Sequence, residues 1–198
     1  MMPRSIAVIL AVFLPAYAAT AIDFTPHYMM EDADGIVVKR PYFTDGTVKY
    51  GIKFFADAVL TGQENAAIFK YSAFTYATMI WRSSPLTPRT PFDAAHLPAY
   101  AAVAQQFLPQ GCAEIKVEAQ EDNVFPINNW VCHRYTISYK FYGFAMRDTV
   151  TFLNLNDKEQ FVIQVSARDS DFKAVAAKSW DVIRSWHEMV PELEHPVN

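Results

Sequence analysis

The chain predicts an α+β domain built on an antiparallel sheet, and three observations carry that reading. From Cys112 onward, stretches that alternate apolar and polar residues are separated by short turns. The last of them is followed by one stretch with helical spacing. Aromatic residues make up 15% of the chain, a composition that suits pleated sheets. With 52% hydrophobic and 19% charged residues, the chain has the make-up of a packed protein and not of a disordered one.

Taken in order, the first element is a targeting segment. Arg4 precedes an unbroken apolar run from Ile6 to Leu14, and Pro15 to Ala21 supplies small residues for cleavage after Ala18 or Ala21. The run is about half of the roughly 20 residues a membrane-crossing helix needs, and Pro15 ends it. Residues 1–21 therefore read as a secretory signal peptide. Residues 22–198 read as a single domain, secreted or periplasmic, with no stable membrane anchor. Ile36 to Phe43 and Thr47 to Phe55 flank Asp45-Gly46, which predicts a hairpin with a two-residue turn. That turn sets Phe43 opposite Val48 and Pro41 opposite Tyr50, and it puts Val48, Tyr50, Ile52 and Phe54 on one face. Glu64 to Ile80 reads as a strand from its β-branched and aromatic residues. Arg82 to Pro98, with Pro85, Pro88, Pro91 and Pro98, is a long irregular connection. Pro98 then opens a short helix through Tyr100, Val103, Ala104 and Phe107, which Pro109-Gln110-Gly111 stops.

The second half is a meander. Ala113, Ile115 and Val117 alternate with Glu114, Lys116 and Glu118. Val131, His133, Tyr135, Ile137, Tyr139 and Phe141 alternate with Cys132, Arg134, Thr136, Ser138 and Lys140. Gly143 marks a turn before Phe144 to Leu153, and Phe161, Ile163, Val165 and Ala167 form a further alternating strand. Asp169 or Ser170 then caps a helix with Phe172, Val175, Ala176, Ser179, Ile183 and Trp186 on one stripe. Pro191 and Pro196 leave an irregular tail.

The formal charge of −4, which becomes −5 once Arg4 is removed, and the absence of any basic run argue against nucleic acid and anionic membranes as partners. Cys112 and Cys132 are the two cysteines, and in an oxidising compartment they predict one disulfide, since both take the polar parity of their strands.

The closing block, Thr149-Val150-Thr151-Phe152, Phe161-Val162-Ile163-Gln164-Val165 and the helix that ends in Ile183-Arg184-Ser185-Trp186, resembles the end of the PsbP-like and DcrB-like extracytoplasmic family. The resemblance implies a central antiparallel sheet with helices packed on both faces, an α/β/α sandwich. It also implies an accessory or interaction protein in place of an enzyme, and it brings no catalytic residue or cofactor to carry over.

The five histidines, His27, His96, His133, His187 and His195, make no HExxH and no i, i+4 pair, so no metal site is expected. Glu31-Asp32-Ala33-Asp34-Gly35 lacks the third oxygen ligand and the twelfth-position Glu of a calcium loop. No nucleophile elbow, P-loop or dinucleotide fingerprint is present. The candidate binding residues are Trp81, Arg82 and Arg89, an aromatic and two cations bordering the Pro-rich connection. These observations favour a non-enzymatic module that binds a protein partner or an amphipathic small molecule, with no cofactor. The alternative is an enzyme, such as a hydrolase, with a site assembled around His133 or His96.

Overall fold

The computed structural model describes residues 22–33, 35–53, 57–63, 65–86, 91–125, 130–155 and 159–189. The signal segment 1–21, the candidate Arg89 and the tail that contains His195 lie outside them. In chain order the elements are β1 (Asp23–Ala33), β2 (Ile36–Thr44), β3 (Lys49–Gly51), β4 (Ala58–Gln63), β5 (Ala66–Tyr71) and β6 (Thr78–Ser83). Then follow α1 (Leu97–Gln106), β7 (Ala113–Asp122), β8 (Val131–Phe141), β9 (Phe144–Asn154), β10 (Gln160–Arg168), α2 (Phe172–Ile183) and β11 (His187–Met189). The strands form two antiparallel sheets, a large one in the order β4-β5-β6-β10-β9-β8-β7 and a small one in the order β1-β2-β3-β11.

This arrangement corrects the α/β/α sandwich. Strands dominate, only two short helices form among the described residues, and a second sheet in place of a helix layer covers much of one face. The cause lies in the N-terminal third, where Phe24, Phe43, Tyr50 and Ile52 are all buried against the large sheet's Phe69, Trp81, Phe161 and Ile163. A three-residue strand after Trp186 closes the small sheet, ahead of the expected irregular tail around Pro191 and Pro196, which lies outside the described residues. Beside the small sheet, α2 adds Val175, Val182 and Ile183 to the same core. On the opposite face α1 seats Tyr100, Val103 and Ala104 on Tyr135, Ile137, Val150, Phe152 and Val162. The inward parity predicted for β8 is the one that meets α1: His133, Tyr135, Ile137 and Tyr139 are buried.

Other expectations fail for stated reasons. The Asp45-Gly46 hairpin pairs Phe43 with Tyr50 and Thr44 with Lys49, two residues away from the predicted register. The Asp45 carboxylate accepts from the Thr47 and Val48 amides at 2.8 and 2.7 Å and so closes a four-residue loop. A shift of two preserves parity, so Tyr50 and Ile52 still face the core. The single strand over Glu64 to Ile80 is a hairpin, β5 and β6, whose turn contains Tyr76 at φ 64°. On β7 the alternation does not mark a buried face, because this is an edge strand and Ala113 and Ile115 are exposed.

The disulfide is also corrected. Adjacent antiparallel strands start at opposite ends, and here Cys112 precedes the Ala113–Lys140 pair while Cys132 precedes the His133–Asp122 pair. Nine residues of strand separate the two pairs, about 30 Å of rise, against the 4.4–6.8 Å between Cα atoms that a disulfide spans. Both thiols are free. Two thiols should therefore titrate in the unreduced protein, the partly exposed Cys112 in the native state and the buried Cys132 only after unfolding. Fewer than two thiols in denaturant without reductant would contradict the strand register.

Candidate functional site

Trp81 and Arg82 do not share a rim, and Arg89 lies outside the described residues. Trp81 is 0% exposed and packs within 6.2 Å, centroid to centroid, of Phe43, Phe69, Phe161 and Trp186, so it fills the core between the sheets. Arg82, next in β6, takes the opposite face. Its guanidinium lies 4.6 Å from the Phe107 ring and donates to Gln164 Oε1 at 3.2 Å, and burial lowers its pKa. Gln164 in turn donates to Asp148 Oδ2 at 2.7 Å, where Ser166 also donates at 2.7 Å, and Tyr139 donates to Oδ1 at 2.9 Å. Asp148 is fully buried, and burial raises its pKa despite these three donors.

The two histidines that are candidates for catalysis, His133 and His96, each meet a carboxylate. His133 is 3% exposed with Nδ1 2.7 Å from Asp122 Oδ1, its ring stacks on Phe92 at 5.9 Å, and Nε2 has no hydrogen-bond partner. His96, at the N-terminus of α1, is paired with Asp93 at 2.7 Å and stays half-exposed. Among the described residues neither imidazole is hydrogen-bonded to a hydroxyl or a thiol.

The concavity of the molecule lies elsewhere, on the face the small sheet shares. The small sheet packs on β4 to β6, α2 lies over β10, and beyond α2 the face formed by β8 and β9 opens to solvent. A groove of about 560 Å³ runs along this step. Its floor is Thr136 on β8, Thr149 and Thr151 on β9, and Ile163 and Val165 on β10. One wall is the outer side of α2, with Phe172, Lys173, Ala176 and Trp180. Phe125 closes the far end, stacked on Trp180 at 5.4 Å with the rings 15° from parallel. The register places Arg134 across from Thr151 and Thr136 across from Thr149, so these groups project side by side from one face.

The electrostatics of the groove are one-sided. Arg134, Arg147 and Lys173 line it, and among the described residues no Asp or Glu does. Arg134 is tied at the outer rim by Glu121 at 2.6 Å and Arg147 by Asp169 at 2.8 Å. Such half-exposed pairs hold a guanidinium in place while contributing little stability. The arginine fork can take a planar anion, the threonine hydroxyls can donate beside it, and the Phe125–Trp180 end can bury an apolar body. None of the groove residues stands out in the sequence, because Thr and Arg on the polar parity of a strand read as an ordinary solvated face. Asp148 could have been found, since it occupies the inward parity set by Met146, Val150 and Phe152.

Fold and groove together define a two-sheet, mostly β domain with a cationic, half-apolar cleft. No family model matches the chain, and no curated protein matches it. Among solved structures it is similar to a protein of unknown function from Pseudomonas aeruginosa, at 12% identity and a TM-score of 0.44, over 83% of this chain and 97% of that one. It is also similar to the cyanobacterial PsbP (CyanoP) from Synechocystis sp., at 10% identity and a TM-score of 0.41, over 89% of this chain and 97% of that one. These likenesses concern the course of the chain and assign no site. No helix among the described residues is long and apolar enough to cross a membrane.

Proposed function

We propose that the protein is a secreted or periplasmic, non-enzymatic binding module whose groove holds an amphipathic small molecule with an anionic head. The observation that carries this reading is the lining itself: three cations and three threonines join an aromatic end in one cleft, and among the described residues the carboxylates that meet these cations, Glu121 and Asp169, stand at the rim and not in the lining. The export reading rests on the apolar run after Arg4. The head would meet the N–H groups of Arg134 and Arg147 that Glu121 and Asp169 leave free, and the body would lie along Ile163, Val165 and Trp180.

A fluorescent fatty acid titrated into the protein, with the matching fatty alcohol as the neutral control, tests this. The acid should bind at least about tenfold more tightly than the alcohol, because a hydrogen bond to a charged group contributes about 1.5–3 kcal/mol. Arg134→Glu with Arg147→Glu should remove that preference without lowering the unfolding midpoint by more than a few degrees. Equal binding of acid and alcohol would refute the anionic head.

A second reading, a hydrolase working through His133, is favoured by one observation. The Asp122 carboxylate at Nδ1 fixes the tautomer, and a buried Nε2 is left without a partner. Turnover of an ester by the wild type that His133→Gln loses, with fold intact, would support it over the binding reading.

A further inference from the structure

At the end of the large sheet where β8 turns into β9, the local structure and the residues filling it disagree. The turn has two residues, Tyr142 and Gly143, between the paired Phe141 and Phe144, and both have positive φ, 48° and 81°. That geometry favours Asn-Gly, because a side chain with a Cβ in the left-handed region is strained by about 1–2 kcal/mol. Tyr142 nevertheless occupies it while 82% exposed, its ring tilted against its half-buried neighbour Phe141 at 4.4 Å and not seated in the core. Tyr76 repeats the pattern in the β5–β6 turn, at φ 64° and 50% exposed. The two turns lie at the same end of the sheet, with the Tyr76 and Phe144 ring centroids 5.9 Å apart.

A cation completes the cluster. Arg168, the last residue of β10, holds its guanidinium 4.1 Å from the Phe144 centroid and 5.3 Å from that of Tyr76. Neighbouring cations are committed, Arg147 to Asp169 and Lys140 to Glu114, whereas among the described residues Arg168 has no ion pair and its enclosed Nε no hydrogen-bond partner. With Nε enclosed and the Phe144 and Tyr76 rings against the guanidinium, the Nη1–Nη2 edge is its available surface. That edge is a planar fork matched to a carboxylate.

We propose that this end of the sheet is a docking platform for an acidic polypeptide segment. One carboxylate of the partner meets the edge of Arg168, and apolar side chains beside it rest on Tyr76, Tyr142 and Phe144. The occupant is a polypeptide because the platform stands on exposed turns away from the groove, whereas small molecules are held in concave sites that bury most of their surface. Exposed tyrosines flanking an arginine are the composition of an interface hot spot, and rings fixed on short turns lose little conformational freedom on binding. The unpaired positive charge selects an acidic partner.

The test uses isotope-labelled protein and two capped hexapeptides, one with a Glu between two Phe and one with Gln in its place, observed by nuclear magnetic resonance. The Glu peptide should shift the Arg168 Nε–H and the ring signals of Tyr76 and Phe144 saturably. The Gln peptide should bind at least about tenfold more weakly, the loss of one charge-assisted contact. Tyr142→Asn should weaken the Glu peptide by about fivefold or more while raising the unfolding midpoint, because Asn suits the turn, so misfolding cannot account for the loss. Arg168→Gln should abolish the preference for Glu. Equal binding of the two peptides, no shift with either, unchanged binding by Tyr142→Asn, or equal shifts with free phenylacetate would each overturn the proposal.

Discussion

Trp81→Ala should lower the unfolding free energy by about 3–5 kcal/mol, the range for deleting a large buried aromatic. Trp81 is fully buried in an aromatic cluster that joins both sheets and the segment after α2: Phe43 from β2, Phe69 from β5, Phe161 from β10 and Trp186. Removing it leaves a cavity where three elements meet, and none can close the gap without losing contact with the others. Trp81→Phe should cost much less, about 1–2 kcal/mol, because most of the apolar area is kept and the buried indole Nε1, which has no hydrogen-bond partner, is removed. Denaturant unfolding monitored by far-ultraviolet circular dichroism gives both numbers. A cost below about 1 kcal/mol for Trp81→Ala would mean that Trp81 lies at a binding rim, as its place before the Pro-rich connection suggests.

The gap between that sequence reading and the buried position shows where one-dimensional patterns fail. Alternation identified β8 and β10 because both faces of those strands are filled or ordered by neighbours on either side, so burial follows parity directly. It misled at β7, where the missing neighbour leaves even the apolar parity exposed. Tyr76 hid the β5–β6 turn by taking a positive φ that normally announces itself through Gly or Asn. β1 is hidden in the sequence because its pairing partner is β2, the next strand, and the acidic run at its end looks like solvated loop. That alone conceals the small sheet, and with it the layer that replaces the expected helices.

The site was legible only in fragments. His133 announced itself as a polar residue on an apolar parity, and the structure places it there, with Asp122 as its partner from the adjacent strand. The groove depends on α2 stopping short of β8 and β9, a relation between elements far apart in sequence. Arg134, Thr136, Thr149 and Thr151 therefore looked like any exposed strand face.

Asp148 leads to the second large effect, a stability that falls as pH rises. Its carboxyl is fully buried, and burial raises its pKa against the pull of the Gln164, Ser166 and Tyr139 hydrogen bonds. A folded-state pKa above the unfolded value means that the native state binds the proton more tightly. The contribution is therefore fully present below the unfolded carboxylate value near 4, and it is lost as pH rises through the folded pKa. Asp148→Asn removes the titration, so the difference in unfolding free energy between wild type and variant should shift in the variant's favour as pH rises above the unfolded carboxylate value. Comparing the two proteins cancels the exposed Asp23, Asp93 and Glu118, whose lowered pKa values act with the opposite sign. Asp148→Ala should be much worse than Asn at every pH, by about 2–4 kcal/mol, since it takes the acceptor from the Tyr139 and Ser166 hydroxyls and leaves the Gln164 amide with only its longer bonds to the Phe107 carbonyl and Ser166 Oγ. It also cuts the path by which Gln164 links the carboxylate to Arg82, leaving that half-buried guanidinium with less to balance its charge. Urea unfolding across the pH range measures all three proteins. A wild-type-minus-Asn difference that stays flat with pH would show that Asp148 holds the same proton occupancy folded and unfolded.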